Sequence, residues 1–275
     1  MHIWQAILLG VVEGVTEFLP VSSTGHLTIA EDLMNLKTND DAITAYTAVI
    51  QDGAIFAAIV YFWRDIRRVV TGWVRGLVHA DARRSFDYRF GWYVIWATVP
   101  IGILGIAAKP LIEGPFRSLW CVALALILWS AALVHAERTA AQDRGEDDIK
   151  LRDALVIGAF QCLALIPGVS RSGATISGGL YRGLDRVSAT RFSFLLGIPA
   201  LIAAGLFELP KATSSGATGT SLVAGVIVSF TVAYVAIAWL LRFVAHHSIA
   251  KFVPYRVLLG IVVIALLIAG VIDAT

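Results

Sequence analysis

Charge is what this chain has least of. Its 275 residues include 22 Lys and Arg against 20 Asp and Glu, 15% in all, where an ordinary soluble domain carries roughly 25%. So few charges cannot cover the surface of a soluble core of this size, which excludes a soluble enzyme. The 57% of hydrophobic residues likewise excludes a disordered chain. A formal net charge of +2 has no strong excess of either sign, so no acidic partner is implied and nucleic acid is not expected. Cysteine is nearly absent: Cys121 and Cys162 both lie in apolar stretches and suggest neither a disulfide framework nor a metal motif. The N-terminal run Met1-His2-Ile3-Trp4-Gln5 has no basic segment, so no cleavable signal peptide is expected. With a mean hydropathy of +0.76, the chain reads as a polytopic membrane protein.

Six stretches are long enough to cross a bilayer: roughly 44–63, 90–107, 118–136, 187–209, 221–241 and 255–272. Two further apolar stretches are interrupted. Residues 3–12 run into Glu13, Glu17 and Leu19-Pro20-Val21-Ser22-Ser23-Thr24-Gly25-His26. Residues 154–166 run into Pro167-Gly168-Val169-Ser170-Arg171-Ser172-Gly173-Ala174-Thr175. Backbone broken in this way is tolerated within lipid only where protein or a wet cavity surrounds it, so both are expected to be re-entrant hairpins.

The basic residues set the expected sidedness. Loop 64–89 carries Arg64, Arg67, Arg68, Arg75, Arg83, Arg84 and Arg89, and loop 137–152 adds Arg138, Arg144, Lys150 and Arg152. If these face the cytoplasm and 153–182 returns to its own side, Arg182, Arg186, Arg191, Arg242, Lys251 and Arg256 join them. That makes seventeen inside against Lys37, Lys109, Arg117 and Lys211 outside. Both termini and the mouth of the first hairpin would then lie outside. Within 64–80, Ile66, Val69, Val70, Trp73, Val74, Leu77 and Val78 repeat at helical spacing with arginines between them, the pattern of an interfacial amphipathic helix.

The two broken segments match at an offset of 148: Gly10 with Gly158, Glu13 with Gln161, Val21 with Val169, Ser22 with Ser170 and Gly25 with Gly173. The expected fold is therefore an all-α polytopic membrane protein with an inverted-topology repeat, each half one re-entrant helical hairpin plus three transmembrane helices. The whole chain, 1–275, forms a single membrane domain. Repeat one covers 1–137, repeat two covers 153–275, and a cytoplasmic linker spans 138–152.

Polar groups inside these apolar stretches are the candidate functional residues. Glu13 and Glu17 lie four apart on one helical face, where two carboxylates repel. Protonation of one or capping of a turn would relieve the repulsion. So would a divalent cation, Mg2+ or Ca2+, held between them. Arg171 needs an anionic partner, which is Glu13 or Glu17 on one reading and a phosphate on the other. Around it Ser170, Ser172 and Thr175 supply hydroxyls, and Gly168 and Gly173 allow close backbone approach to an anion. The first hairpin offers Ser22, Ser23, Thr24 and Gly25, with His26 as a group that titrates near neutrality. Carboxylates, an arginine, and hydroxyls beside an imidazole make a set suited to phosphoryl transfer. A transporter or lipid flippase is the competing class, with the acids on a coupling ion and Arg171 on an anionic substrate. Gln51 and Asp52 are polar within a span and fit either site orientation or interhelical bonding. Gly102, Gly105, Gly197 and Gly205 are expected to permit close helix packing, and His246-His247 to be solvated.

With both motifs in view, Glu13-Gly14-Val15-Thr16-Glu17 through His26 and Pro167 through Thr175, the sequence closely resembles the undecaprenyl-diphosphate phosphatase family of bacteria, the bacitracin-resistance type. The resemblance covers essentially the whole chain. It implies an integral enzyme of the bacterial inner membrane that converts undecaprenyl diphosphate to undecaprenyl phosphate and phosphate. Such an enzyme recycles the lipid carrier for peptidoglycan and confers bacitracin resistance, and its site opens to the outer face. The family's acidic motif falls on Glu13 and Glu17, its Ser-rich turn on Ser22, Ser23 and His26, and its arginine motif on Ser170, Arg171, Ser172 and Thr175. Lipid phosphatases of the phosphatidic-acid type are a poor match: the sixth residue past Arg171 is Ser177 rather than His, and their Lys/Arg-Pro run is missing. The expected mechanism has Arg171 and backbone amides holding phosphate, and Glu13 and Glu17 holding the cation. Ser23 is the nucleophile, with His26 or Glu17 taking its proton; a phosphohistidine on His26 or direct attack by water are the alternatives. Expected partners are the polyprenyl diphosphate and membrane lipids, and a homodimer is compatible with the sequence.

Overall fold

A computed structural model describes residues 2–34, 36, 41–112, 114–214 and 219–274. Lys37 lies outside the described residues, as do the side chains of Arg117 and Lys211. Among the described residues the regular elements are all helices. Helix α1 (Ile3–Thr16) and α2 (Ser23–Leu33) are followed by α3 (Asp41–Tyr61) and α4 (Trp63–Val78). Next come α5 (Phe86–Ala107), the short α6 (Lys109–Ile112) and α7 (Leu119–Thr139). After α8 (Leu151–Cys162) and α9 (Arg171–Tyr181) the chain ends in α10 (Arg186–Ser214), α11 (Gly219–His246) and α12 (Val253–Ile268). Five helices are long and apolar enough to cross a membrane, and six if α3 and α4 count as one bent span. The bend between them is 75°, which gives the amphipathic segment its own direction.

The interruptions expected at the two turns are present, and their chemistry is local. Pro20 and Pro167 cannot continue a helix. The chain restarts at Ser22 and Ser170, each of which caps the next helix by accepting a hydrogen bond from the amide three residues on, Gly25 at 3.4 Å and Gly173 at 3.2 Å. Both serines have φ 76°. Backbone strain of that kind in a residue other than glycine concentrates at functional sites.

The second broken segment returns to the end of the molecule from which it started. Arg144 donates its amide to the Gly183 carbonyl at 3.1 Å, and Asp185 donates its own back to Arg144 at 2.8 Å, so the chain before α8 lies beside the chain after α9. Asp153 holds Arg144 and Arg182 at the same end, at 2.5 and 2.7 Å. Arg191 bridges Asp65 at 2.9 Å and Glu146 at 3.0 Å, tying α10 to α4 and the linker there.

Close approach of backbones locks α1 and α8 into the bundle. A Cβ on Gly10 or Gly14 would strike the Gly225 or Ser229 carbonyl of α11, and one on Gly158 would strike the Ala97 carbonyl of α5. Arg256 departs from its expected place in a cytoplasmic loop. It lies inside α12 with no exposed surface, because its guanidinium turns inward to the interior turns rather than out to water.

Candidate functional site

The two broken turns meet and are bonded to each other. Ser22 Oγ accepts from the Gly168 amide at 3.1 Å, while Ser172 Oγ donates to the Leu19 carbonyl at 2.9 Å and Ser170 Oγ to the same carbonyl at 3.4 Å. Beneath both lies α7: the Val122 carbonyl leaves no room for a side chain at Gly168, whose φ is +99°, and the Val122 side chain packs under Gly25.

At this junction Glu17 is shared. Its Oε2 accepts from Ser23 Oγ at 2.7 Å and its Oε1 from Arg171 Nη2 at 3.2 Å. Arg171 Nη1 donates to the Ser193 carbonyl at 3.2 Å, and its guanidinium lies 5.9 Å from the centre of the Phe18 ring. Arg171 Nε is buried without a partner. Glu17 is 5% exposed, so the pair operates in a medium that screens charge weakly. Glu13, one turn back and 1% exposed, leaves Oε1 buried and unpartnered.

A cavity of about 430 Å3 opens onto this cluster. Its polar wall holds Glu17, Ser22, Ser23, Ser170, Arg171 and Gly168, together with Thr24, Gln51, Thr98 and Lys109. Its apolar wall runs between α5 and α10, past Gly102, Gly105, Ala203 and Ala204. At the α5 wall a Cβ on the exposed Gly102 would meet nothing within 4 Å.

The residues singled out from sequence therefore divide into groups. Glu17, Ser23 and Arg171 are in direct contact. Ser22, Ser170 and Gly168 reach the cavity wall, though both serine hydroxyls are occupied by caps and cross-turn bonds. Ser172, Gly173 and Thr175 stand behind the wall: Thr175 Oγ1 donates to the Arg171 carbonyl at 2.8 Å and meets Ser193 Oγ at 2.5 Å, which steadies the helix start. His26 is not brought to Ser23. Its Nδ1 is 2.7 Å from the Ser22 carbonyl, its Nε2 2.6 Å from the Tyr255 hydroxyl, and its ring stacks on Tyr255 at 5.6 Å. The hydrogen-bond acceptor for the Ser23 hydroxyl is Glu17 instead.

Thr98 and Lys109 line the cavity without a sequence motif to mark them. Arg256, in a basic stretch of the sequence, carries no mark there of its buried position. Gly197 and Gly205 were expected to serve helix packing; instead they leave room for the Arg171 guanidinium and the Asp52 carboxylate.

Known proteins place the chain. The family described as bacitracin resistance protein BacA matches residues 6–262. The undecaprenyl-diphosphatase of Acidothermus cellulolyticus is 62% identical over 271 residues, 98% of each chain. Undecaprenyl-diphosphatase 1 of Frankia alni is 55% identical over 275 residues, 100% of this chain and 99% of the relative. That of Cutibacterium acnes, an undecaprenyl-diphosphatase, is 50% identical over 284 aligned positions covering both chains in full.

Proposed function

The chain belongs to the bacitracin resistance protein BacA family, and we infer from that membership and from the site that it is an undecaprenyl-diphosphate phosphatase. It cleaves the terminal phosphate from undecaprenyl diphosphate, which returns the lipid carrier to peptidoglycan synthesis and underlies bacitracin resistance.

One observation carries the chemical reading: the Ser23 hydroxyl donates to one oxygen of Glu17 while Arg171 holds the other. Such contacts are what a hydroxyl nucleophile, its base, and a group that orients the base require. Ser23 Oγ attacks the terminal phosphorus as its proton passes to Glu17. The bond to the bridging oxygen breaks, and undecaprenyl phosphate departs with that proton. Water then attacks the phosphoserine, Glu17 takes the water's proton and returns it to Ser23 Oγ, and inorganic phosphate leaves. Arg171 holds the phosphoryl oxygens, for which its unpartnered Nε is available. The prenyl tail leaves through the apolar wall between α5 and α10.

A divalent cation, Mg2+ or Ca2+, belongs to this reading. The described residues contain no group of three or more His, Cys, Asp or Glu placed to hold a metal ion, yet two carboxylates completed by diphosphate oxygens are a donor set that such cations accept. Glu13, through its unpartnered Oε1, and Glu17 would hold it. When bound it neutralises charge on the diphosphate and on the departing lipid phosphate.

The inverted repeat is part of the proposal too. Ser22 and Ser170 share one cap and one φ, and Gly10 and Gly158 pack α1 and α8 on spans that the other half contributes. The α8–α9 hairpin opens at the end where Asp65 and Arg191 meet. The first hairpin joins the opposite end of α3. With Arg256 moved inside, sixteen basic residues still fall on the expected cytoplasmic segments against four outside, which favours a site facing the outer side.

Phosphate release from undecaprenyl diphosphate in detergent tests the reading. Wild type is expected to turn over and Arg171→Ala to lose activity; near-normal hydrolysis by Arg171→Ala overturns the phosphate assignment.

A further inference from the structure

Arg256 is the largest of the fully buried side chains, and among the described residues no carboxylate is paired with it. A guanidinium presents five donors in a rigid fork, and burial is tolerated only when acceptors meet them. Four oxygens do so here. Nε donates to Ser130 Oγ at 3.2 Å, Nη1 to the Pro20 carbonyl at 2.8 Å, and Nη2 to the carbonyls of Gly168 at 2.9 Å and Val169 at 3.3 Å.

These acceptors are arranged around the reacting groups. Pro20 lies three residues before Ser23, and Gly168 three residues before Arg171. One side chain therefore grips the approach to the nucleophile and the approach to the phosphate-binding arginine at matching positions. The third anchor belongs to a separate element: Ser130 stands on α7, where its hydroxyl donates to the Leu126 carbonyl at 2.7 Å and so turns a lone pair to Arg256. Helices α7 and α12 pack on each other, and through Arg256 they clamp both turns.

We propose that Arg256 is a positioning residue for the reaction: its guanidinium sets the separation between the Ser23 turn and the Arg171 turn. The proposal rests on the phosphatase reading given above. Arg256 touches no substrate; it acts through Pro20 and Gly168. A lysine at this position keeps a positive charge but offers a point rather than a fork, so it cannot span acceptors on two turns and α7 together. The alternative is that Arg256 contributes only to folding.

Steady-state hydrolysis of undecaprenyl diphosphate in detergent micelles separates the two, using wild type, Arg256→Lys and Ser130→Ala. Each protein is first checked for monodisperse elution and for its unfolding temperature. A misplacement of about 1 Å between reacting groups costs on the order of 100-fold in rate. Folded Arg256→Lys is accordingly expected to lose about 30-fold or more in kcat. Ser130→Ala leaves the three carbonyl acceptors in place, and about a three- to ten-fold loss is expected from it. KM should move less than about three-fold in both, because Arg171 is still present to bind phosphate. Folded variants with kcat within two-fold of wild type overturn the proposal, as does a loss no greater than the loss of folded protein. If Arg256→Lys does not fold, Ser130→Ala decides by the same criterion. A wild-type protein that releases no phosphate overturns the phosphatase reading itself, and the proposal with it.

Discussion

A methyl group on Gly197 would overlap the Arg171 guanidinium, with Nη1 the first atom met. One turn earlier on the same helix, the Ser193 carbonyl accepts from that same Nη1 at 3.2 Å. Helix α10 thus contributes an acceptor and an empty space, and the two together aim Arg171 at Glu17. In a membrane helix glycine ordinarily serves close packing of neighbouring helices; at this position it leaves room for the Arg171 side chain. Gly197→Ala should push the guanidinium away from Glu17 while adding only one methyl to the fold. A fall of about ten- to 100-fold in kcat/KM is expected, with little change in unfolding temperature. Hydrolysis by Gly197→Ala within two-fold of wild type would show that Arg171 has another productive placement.

The shared Glu17 carboxylate makes a sharper claim about the order of events. If Ser23 is the nucleophile and Glu17 its base, Glu17→Gln retains an acceptor near Ser23 but cannot take its proton. A loss of about 100- to 10,000-fold in kcat is expected, the usual span for removing general-base catalysis. Ser23→Ala should abolish the acid-stable phosphoserine that rapid quenching with terminally labelled substrate traps in wild type. Label retained on protein in Ser23→Ala would move the nucleophile elsewhere. Because His26 is bonded to Ser22 and Tyr255, Tyr255→Phe is expected to leave the phosphoserine intact.

Much of this site was legible in the sequence, for identifiable reasons. Glu13, Glu17 and Arg171 stand out because isolated charges in apolar stretches are costly and so require an explanation. Pro20 and Pro167 followed by Ser22 and Ser170 mark helix breaks with caps, which are local effects. What could not be read depends on distant packing. Arg256 follows Lys251 closely at the edge of a basic loop, and nothing along the chain says that it turns inward to Pro20 and Gly168. His26 lies three residues from Ser23 on one helix, a spacing that suggests partnership. Yet Ser23 opens α2 with its hydroxyl turned back to Glu17, and Tyr255, 229 positions away, takes the imidazole. The placement of Gly197 matters through a guanidinium from the α8–α9 hairpin and leaves no mark on its own stretch of sequence.

Glu13 Oε1 is buried without a partner, and chelation tests whether a cation meets it. Removal of divalent cations by a chelator is expected to lower kcat at least ten-fold, with Mg2+ or Ca2+ restoring it. Glu13→Gln should raise the cation concentration required for half-maximal activity by about ten-fold or more, since a hard cation loses a charged oxygen ligand. Full activity of wild type after exhaustive chelation would remove the cation from the mechanism and leave Glu13 a buried acid without a ligand.

The apolar wall gives a test of where the prenyl tail runs. Gly102 faces open space, and Ala203 and Ala204 line the same cavity from α10. If the diphosphate occupies this cavity of about 430 Å3, only the start of the tail is expected to enter with it and the rest to lie in lipid. Gly102→Leu should therefore fill the path next to the head group without touching Glu17, Ser23 or Arg171. An increase of about ten-fold in KM is expected with kcat little changed, the pattern of lost uniform binding. The shift should be equal for undecaprenyl and farnesyl diphosphates, because both present the same first units to the wall. A rise for undecaprenyl diphosphate alone would mean that more of the tail enters the protein than the cavity holds. An unchanged KM for both would mean that the tail leaves by another side of the bundle, away from α5.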